Sequence, residues 1–364
     1  MNDERIIQTP LVGEQQIDLL EQLCNACAVS GDEGEVRAIV LEQVKPYANT
    51  VRVDALGNVL VTRSAQQEHP LRVMLAAHMD EIGLMLTNDE EDGIFRFEPV
   101  GGLDARQLAG KAVLVGKNHA PGVIGAKPIH LTSAEERKQT ISLDTLRVDV
   151  GPGNPGKVKV GDRATFATRF TRLGPSLSAK ALDNRLGIAT MIELVKHAPP
   201  NIDLLAAFTV QEEVGLRGAR VAAFAFNPDL AIALDSTPAN DLPPHDASES
   251  GSENTRYNTR LGGGPAIYIA DHSTLSDPRL VRHFIETSEA TGIPYQIRQP
   301  GGGGTDAGAI HKQREGIPSL SVSVPGRYAH TAAGLARLED WQNTLVLVYA
   351  ALVGLSPDIF SVER

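Results

Sequence analysis

The sequence predicts an α/β protein with a mixed central sheet, helices on both faces of that sheet, and a small inserted β-barrel or β-sandwich domain. Strongly apolar runs at residues 73–77 and 204–210 alternate with helical patterns in two separate parts of the chain. Such runs are typical of strands that are buried on both faces. Between those parts, short β-type runs alternate with glycine- and proline-rich turns, which is typical of a small barrel or sandwich.

These differences along the chain predict two domains. Residues 1–81 and 173–364 are predicted to form one discontinuous α/β domain, and residues 82–172 to form the inserted β-rich domain. A chain of 364 residues is long for a single hydrophobic core, which favours this division.

The N-terminal part is predicted to contain two helices followed by strands. The first helix has apolar periodicity from residue 17 and is predicted to end near Ser30, and the second spans residues 33–45. Cys24 and Cys27 are spaced three apart on the apolar face of the first helix, so we interpret them as small buried residues. A zinc site would need further histidine or cysteine partners. Strands are expected at residues 51–54, 59–62 and 73–77.

The inserted domain is predicted to be almost entirely β-structure. Ser133 and Glu136 have the spacing of a capping box, which predicts one short helix among the strands. The remaining β-type runs lie at residues 83–87, 94–97, 113–115, 123–124, 146–150 and 164–166.

After residue 183 the alternation of helix and strand resumes. Helices are predicted at residues 186–197, 218–224, 277–291 and 344–355, and strands at 204–210, 230–234, 266–269 and 320–324. A polar connection at residues 235–260 contains several prolines, and connections of that length without periodicity are usually functional or mobile.

The overall charge restricts the partners. The formal net charge is -11, and so acidic a surface repels nucleic acid and anionic lipid. The longest apolar stretch, residues 344–355, is too short to span a bilayer, and the charged start leads into no run of signal-peptide length. We therefore expect a cytoplasmic protein without nucleic-acid or membrane partners.

Imidazole and carboxylate side chains follow the predicted strands at the points where the strands end. In open α/β sheets, ligands bind outside the carboxyl ends of the strands. Asp183, at a predicted helix entry, joins this set. The residues after the strands are His78, Asp80, Glu212, Glu213, Asp235 and His330.

Each of these residues alone has an ordinary explanation, such as a helix cap or a solvated side chain, but together they favour a metal site. Two imidazoles and three carboxylates suit Zn²⁺, Co²⁺ or Mn²⁺. If one carboxylate bridges, five side chains can hold two ions about 3.5 Å apart, the arrangement used for hydrolysis.

Six stretches resemble the M42 family of metallo-aminopeptidases in sequence and order, over essentially the whole chain. The resemblance implies a zinc-exopeptidase-like α/β domain and hydrolysis of residues from the free N-terminus of peptides. It also implies that the inserted domain mediates dimerisation and that dimers assemble into a tetrahedral dodecamer. The matching stretches are residues 77–83, 182–187, 210–219, 233–238, 302–307 and 326–330.

The resemblance further implies a role for each site residue, with two divalent cations per subunit, Zn²⁺ or Co²⁺ before Mn²⁺. Asp183 would bridge the cations, His78 and Asp235 would complete the shell of one, and Glu213 and His330 that of the other. Glu212 would be the general base, and Asp80 would orient His78.

Three further sequence features bear on the predicted reaction. Glu212 and Glu213, as neighbours on a strand, are expected to project to opposite sides. The glycines at 301–304, with Thr305 and Asp306, are expected to let the backbone approach the site and to open a helix. The polar loop at 241–257 looks longer than the family pattern and would affect access or subunit contacts.

Other functions remain open at this stage. The same ligands could serve a metal-dependent amidohydrolase acting on N-acyl amino acids or on C-terminal peptides. A glycoside hydrolase could use Glu212 and Glu213 as acid and base, although adjacent residues are poorly placed to flank a sugar. A non-enzymatic interaction protein with structural metals would not need a base beside the ligands.

Overall fold

The computed structural model describes residues 9–242, 259–298 and 303–363. Most of the long polar loop predicted at 241–257, and the first two glycines of the run at 301–304, lie outside these residues. In the described part of the chain, no helix combines the length and apolar character needed to cross a membrane.

An eleven-stranded mixed sheet forms the centre of the larger part of the molecule. Its four middle strands, β12, β3, β13 and β16, are parallel neighbours, and the flanking pairs are mostly antiparallel. The order is β1-β2-β12-β3-β13-β16-β17-β11-β10, with β14 pairing β15 and β16. The strands are β1 Thr50–Val53, β2 Val59–Arg63, β3 Leu71–His78, β10 Thr171–Leu173, β11 Ser176–Ala179, β12 Ile202–Thr209, β13 Leu230–Pro238, β14 Ala266–Tyr268, β15 Gln296–Arg298, β16 Ser319–Arg327 and β17 Gly334–Arg337.

Helices cover both faces of this sheet, as the fold class predicted from the sequence requires. On β3, Val73 and Leu75 belong to the core beneath α1, α2, α3, α5 and α7, whereas Met74 and Ala76 pack with α4 and α6 on the other face. This two-sided burial explains why the strand is apolar throughout. The helices are α1 Glu14–Asn25, α2 Gly34–Val44, α3 Leu182–Lys196, α4 Arg217–Phe226, α5 Pro278–Thr291, α6 Ala307–Ile310 and α7 Leu338–Gly354.

The inserted segment folds into a closed six-stranded barrel in the order β4-β5-β8-β7-β6-β9, with a separate apolar core. The structure therefore selects the barrel over the sandwich. Domain limits at residues 82 and 172 stay a prediction, and β10, which spans the second limit, pairs with β11 of the large sheet. The barrel strands are β4 Gly83–Asp89, β5 Ile94–Val100, β6 Ala112–Val115, β7 Ala120–Gly125, β8 Arg147–Asp149 and β9 Arg163–Phe166.

The first helix is shorter than predicted, and this changes the interpretation of Cys27. The chain becomes extended at Ala26, and Val29 forms a β-bridge with Glu81 beyond the end of β3. Pairing with the sheet thus replaces the last predicted helical turn. Cys24 is buried in the core as expected, but Cys27 lies outside the helix and is partly exposed.

The predicted capping box at Ser133 forms, but the helix after it does not propagate. The Ser133 N–H donates to Glu136 Oε2 at 2.6 Å and the Glu136 N–H donates to Ser133 Oγ at 3.1 Å. Only a 3₁₀ turn, Glu136–Lys138, follows. These residues are exposed, and a short helix without a buried face gains little from tertiary packing.

Candidate metal centre

The carboxyl ends of the four parallel strands lie along one edge of the sheet. Thr209, the last residue of β12, pairs with His78, the last residue of β3, and Asp235 of β13 pairs with Ser323 of β16. A cavity of about 540 Å³ opens at this edge. Six residues named from the sequence line it, namely His78, Asp183, Glu212, Glu213, Asp235 and His330.

Asp183 lies between the two imidazoles. Its Oδ1 is 3.3 Å from Nε2 of His78, and its Oδ2 is 3.7 Å from Nε2 of His330. Potential ligand atoms form two compact groups, each within 4.8 Å: one on His78, Glu212 and Asp235, the other on Asp183, Glu213 and His330. The structure thus gathers both histidines and three further carboxylates around Asp183.

Backbone carbonyl groups fix the orientation of both imidazoles. His78 Nδ1 lies 3.1 Å from the backbone oxygen of Asp80, and His330 Nδ1 lies 3.0 Å from the backbone oxygen of Gly102. A carbonyl only accepts, so each Nδ1 carries a proton, and Nε2 is the ring nitrogen that faces the carboxylates and can bind a cation when it is deprotonated. Hydrogen bonding of the distal ring nitrogen is the usual support of a metal-bound histidine.

Gly102 belongs to the segment that follows barrel strand β5, so the barrel side of the molecule takes part in the site. A Cβ atom at position 102 would lie 3.0 Å from His330 Nδ1. Gly102 is not among the residues expected from the sequence, because a glycine in a glycine-rich turn carries no sign of a partner 228 residues away.

The expectation that Glu212 and Glu213 project to opposite sides of a strand is wrong. β12 ends at Thr209, Gln211 has a φ of 57°, and Gly215 N–H donates to the Glu212 carbonyl at 2.9 Å. Both glutamates therefore lie in a turn that precedes α4. The turn, and not strand alternation, directs them into the site.

The Asp80 carboxylate holds this turn. It accepts the Glu212 N–H at 3.0 Å and the Glu213 N–H at 3.2 Å, and Ser30 Oγ donates to it at 2.6 Å. Its Oδ1 is 3.6 Å from His78 Nδ1, farther than its own backbone oxygen. Asp80 thus orients His78 mainly through its backbone oxygen, whereas its side chain positions Glu212 and Glu213.

Burial and mutual repulsion perturb the carboxyl groups strongly. Burial, reinforced by the charges of Asp235 and Asp306, raises the pKa of Glu212 well above its usual range. Burial and the Asp183 charge raise the pKa of Glu213 to about 8. Burial likewise raises the pKa of Asp235 to about 6. So many buried carboxyl groups are stable together as anions only beside compensating positive charge.

Asp183 is the exception and supports the fit to cations. Burial opposes its ionisation, but the adjacent His78 and His330 imidazoles lower its pKa to about 2. Its Oδ1 is buried without a hydrogen-bond partner among the described residues. An orphaned carboxylate oxygen surrounded by nitrogen and oxygen donors, without sulfur, fits Zn²⁺, Co²⁺ or Mn²⁺.

Asp306, which was expected from the sequence only to open a helix, is also a buried carboxyl group near the site. The one-turn helix α6 does begin at the next residue. In addition, Thr209 Oγ1 donates to Asp306 Oδ2 at 2.6 Å, and burial raises the pKa of Asp306 to about 7. Its position beside the end of β12 depends on a contact across 97 residues that no local pattern reveals.

Comparison with known proteins gives consistent matches over nearly the whole chain. Residues 57–347 match the model of the M42 glutamyl aminopeptidase family. The chain is 33% identical over 356 residues to the lysyl aminopeptidase of Pyrococcus furiosus, covering 94% of this chain and 99% of that protein.

Two solved structures show the same architecture. An aminopeptidase from the archaeon Desulfurococcus kamchatkensis superposes with a TM-score of 0.88 at 34% identity, covering 96% of this chain and 98% of that one. The TET1 peptidase of Pyrococcus horikoshii, which assembles into a tetrahedron or a large octahedral shell, superposes with a TM-score of 0.81 at 34% identity, covering 93% and 100%.

Proposed function

The chain belongs to the M42 aminopeptidase family and is a peptide hydrolase, and we propose that it acts through two divalent cations and a glutamate base. Asp183 would bridge the cations, and Glu212 would be the base. The remaining ligands would be His78 with Asp235 for one cation, and Glu213 with His330 for the other.

The position of Asp183 carries this proposal. Each of its two oxygens faces one imidazole, and each imidazole is accompanied by a further carboxylate. This is the donor distribution expected of two sites that share one carboxylate. Zn²⁺ and Co²⁺ suit the mixture of imidazole and carboxylate, and Mn²⁺ is the third candidate.

The bound cations would polarise the scissile carbonyl group and lower the pKa of a water molecule. Glu212 accepts the proton of the attacking water on its carboxylate and donates it to the leaving amine. Asp80 keeps the carboxylate aimed by fixing the backbone of the turn.

We further propose that the substrates are peptides with a free N-terminus, and that copies of this chain assemble through the barrel. The peptide substrate follows from the aminopeptidase family. The assembly follows from the similarity to the TET1 peptidase, which forms closed shells. Barrel-mediated dimers are the building unit that this proposal expects, and a cytoplasmic location accords with it.

The experiment that tests the proposal is hydrolysis of aminoacyl-p-nitroanilides by metal-depleted protein, with and without added Co²⁺ or Zn²⁺. We expect metal-dependent cleavage of free-amine substrates and none of their N-acetylated counterparts. Release of acetate from the N-acetylated substrates, with the anilide bond left intact, would instead identify an N-acyl amidohydrolase. Activity that survives full metal depletion would contradict the two-cation mechanism.

A further inference from the structure

A second cluster of potential metal ligands lies outside the peptidase centre. It consists of Cys27, Glu35 and His119, whose ligand atoms all lie within 4.8 Å of one another. None of the three belongs to the groups around Asp183. We propose that this cluster binds a further divalent cation such as Zn²⁺, and that the bound cation links the barrel to the N-terminal helices.

Three separate elements bring the cluster together. Cys27 lies in the extended segment after α1, Glu35 lies in the first turn of α2, and His119 ends the turn between barrel strands β6 and β7. Glu35 Oε2 accepts the Cys27 N–H at 2.9 Å, and its Oε1 is 2.6 Å from Nε2 of His119. Glu35 thus fixes the positions of both other ligands.

The chemistry of this donor set matches a zinc-type ion. Thiolate, imidazole and carboxylate are the three side-chain ligands of protein-bound Zn²⁺, and three protein ligands leave a coordination position for water. A thiolate and a carboxylate together balance the charge of a divalent cation. On binding, the thiol proton and any proton shared between His119 and Glu35 pass to solvent.

The cluster is accessible and is supported by a neighbouring contact. The side chains of His119 and Glu35 are 39% and 36% exposed, and Cys27 is partly exposed, so a cation can enter from solvent. Lys117, in the same barrel turn, pairs with Asp32 beside α2. The pairs Lys117–Asp32 and His119–Glu35 both join the β6–β7 turn to the start of α2. A cation bound here would therefore add a further link between two elements that are already in contact.

The donor set also makes this site distinguishable from the peptidase centre, whose ligands contain no sulfur. Cobalt bound to a thiolate absorbs strongly in the near ultraviolet, whereas cobalt bound to imidazole and carboxylate does not. In the experiment, the full-length, reduced protein is loaded with Co²⁺. Its absorption spectrum is recorded, and the number of cobalt ions bound per chain is measured. This readout does not depend on peptidase activity.

The variants are Cys27→Ser and His119→Gln, with Cys24→Ala as the matched control, because Cys24 is the second thiol and is fully buried. We expect the thiolate band in the wild type and in the control, loss of the band in Cys27→Ser, and one fewer bound cobalt per chain in both test variants. Far-ultraviolet circular dichroism shows whether each variant is folded. If Cys27→Ser does not fold, His119→Gln, altered in an exposed turn, decides the result.

A cobalt-saturated wild type without a thiolate band would overturn the proposal. So would a band that persists in Cys27→Ser or that disappears in Cys24→Ala alone. Failure of the peptidase mechanism would appear in hydrolysis and not in this band, so the two outcomes remain separate.

Discussion

At the scale of single residues, Asp183, Glu212 and Asp80 have different proposed roles at the sheet edge. Asp183 presents one oxygen to each imidazole, while Glu212 has no such central position and carries a strongly raised pKa. Asp80 is fully buried, and its carboxylate accepts hydrogen bonds from the backbone N–H groups of Glu212 and Glu213. We therefore expect substitutions of these three residues to change activity and bound metal in different ways.

Replacement of the proposed base, Glu212→Gln, is expected to lower kcat by about 10²- to 10⁴-fold, because glutamine cannot take up the proton of the attacking water. Bound metal should stay near the wild-type amount. Activity and metal content are measured on the same preparation. A loss of metal in parallel with activity would identify Glu212 as a ligand, and unchanged activity would exclude it as the base.

Replacement of the positioning residue, Asp80→Asn, is expected to lower activity by about 10- to 100-fold, as is usual for groups that orient the ligands of a metal. Asparagine retains the size but keeps only one acceptor oxygen, so one of the two backbone N–H groups loses its partner. The fall should lie mainly in kcat, with KM little changed. Ser30→Ala removes one bond to Asp80 but neither amide contact, so it is expected to have the smaller effect, and an equal effect would argue against this role.

At the scale of elements, the turn after β12 and the segment after β5 determine the shape of the site. The turn carries both glutamates, and the segment after β5 brings Gly102 to within hydrogen-bond distance of His330. The barrel thus contributes to the centre even though its strands supply none of the proposed ligands. Because this contact joins the barrel side to the proposed ligand His330, we expect a change at Gly102 to alter metal binding.

The substitution Gly102→Ala tests this contact. A Cβ at 3.0 Å from His330 Nδ1 is too close for an unmoved ring, so we expect weaker metal binding and lower activity in a fold of normal stability. Gly125→Ala in barrel strand β7 is the control, since its Cβ would have only an ordinary contact at 3.8 Å. Metal dissociation constants of the two variants are compared, and equal values would refute the proposed role of the contact.

At the scale of the whole molecule, Glu81 connects parts of the chain that are distant in sequence. It accepts hydrogen bonds from Lys180 at 2.8 Å, from the Ala28 N–H at 2.9 Å and from Thr165 Oγ1 of the barrel at 2.9 Å. Arg185 lies 3.4 Å from the same carboxylate. These contacts join the N-terminal segment, the barrel and the start of α3 around one buried charge.

Removal of that charge by Glu81→Gln is expected to lower the free energy of unfolding by about 3–5 kcal/mol, because the buried Lys180 and Arg185 lose their counter-ion. Urea unfolding of the metal-free protein measures it. Glu136→Gln, which breaks an exposed pair with Lys127, is the control and should change little. A loss as small as that of the control would show that the cluster is not needed for stability.

The same cluster predicts a pH dependence. Burial alone would raise the pKa of Glu81, but Lys180 and Arg185 outweigh it and lower the pKa below its ordinary value of 4.5. A depressed folded pKa gives stability that is present above the unfolded pKa and is lost as the pH falls through the folded value. The difference in unfolding free energy between wild type and Glu81→Gln should therefore shrink in that acidic range, and a constant difference would contradict the assignment.

Much of the fold, and the residue types of the site, could be read from the sequence. Strand β3 was predicted because both of its faces are buried, which leaves a continuous apolar run, and the polar residues after such strands marked the sheet edge. The family followed from motifs in a fixed order. These features are local, so each is written within a few neighbouring residues.

Only the tertiary structure decided which groups meet. The turn at Glu212, the amide bonds of Asp80, the carbonyl of Gly102 and the grouping of Cys27 with His119 all depend on contacts between distant segments. The α1 boundary belongs to the same class, since the bridge from Val29 to Glu81 ends the helix early. Long-range contacts of this kind leave no periodicity in the sequence, because the partner sets the energy of each conformation and local propensity does not.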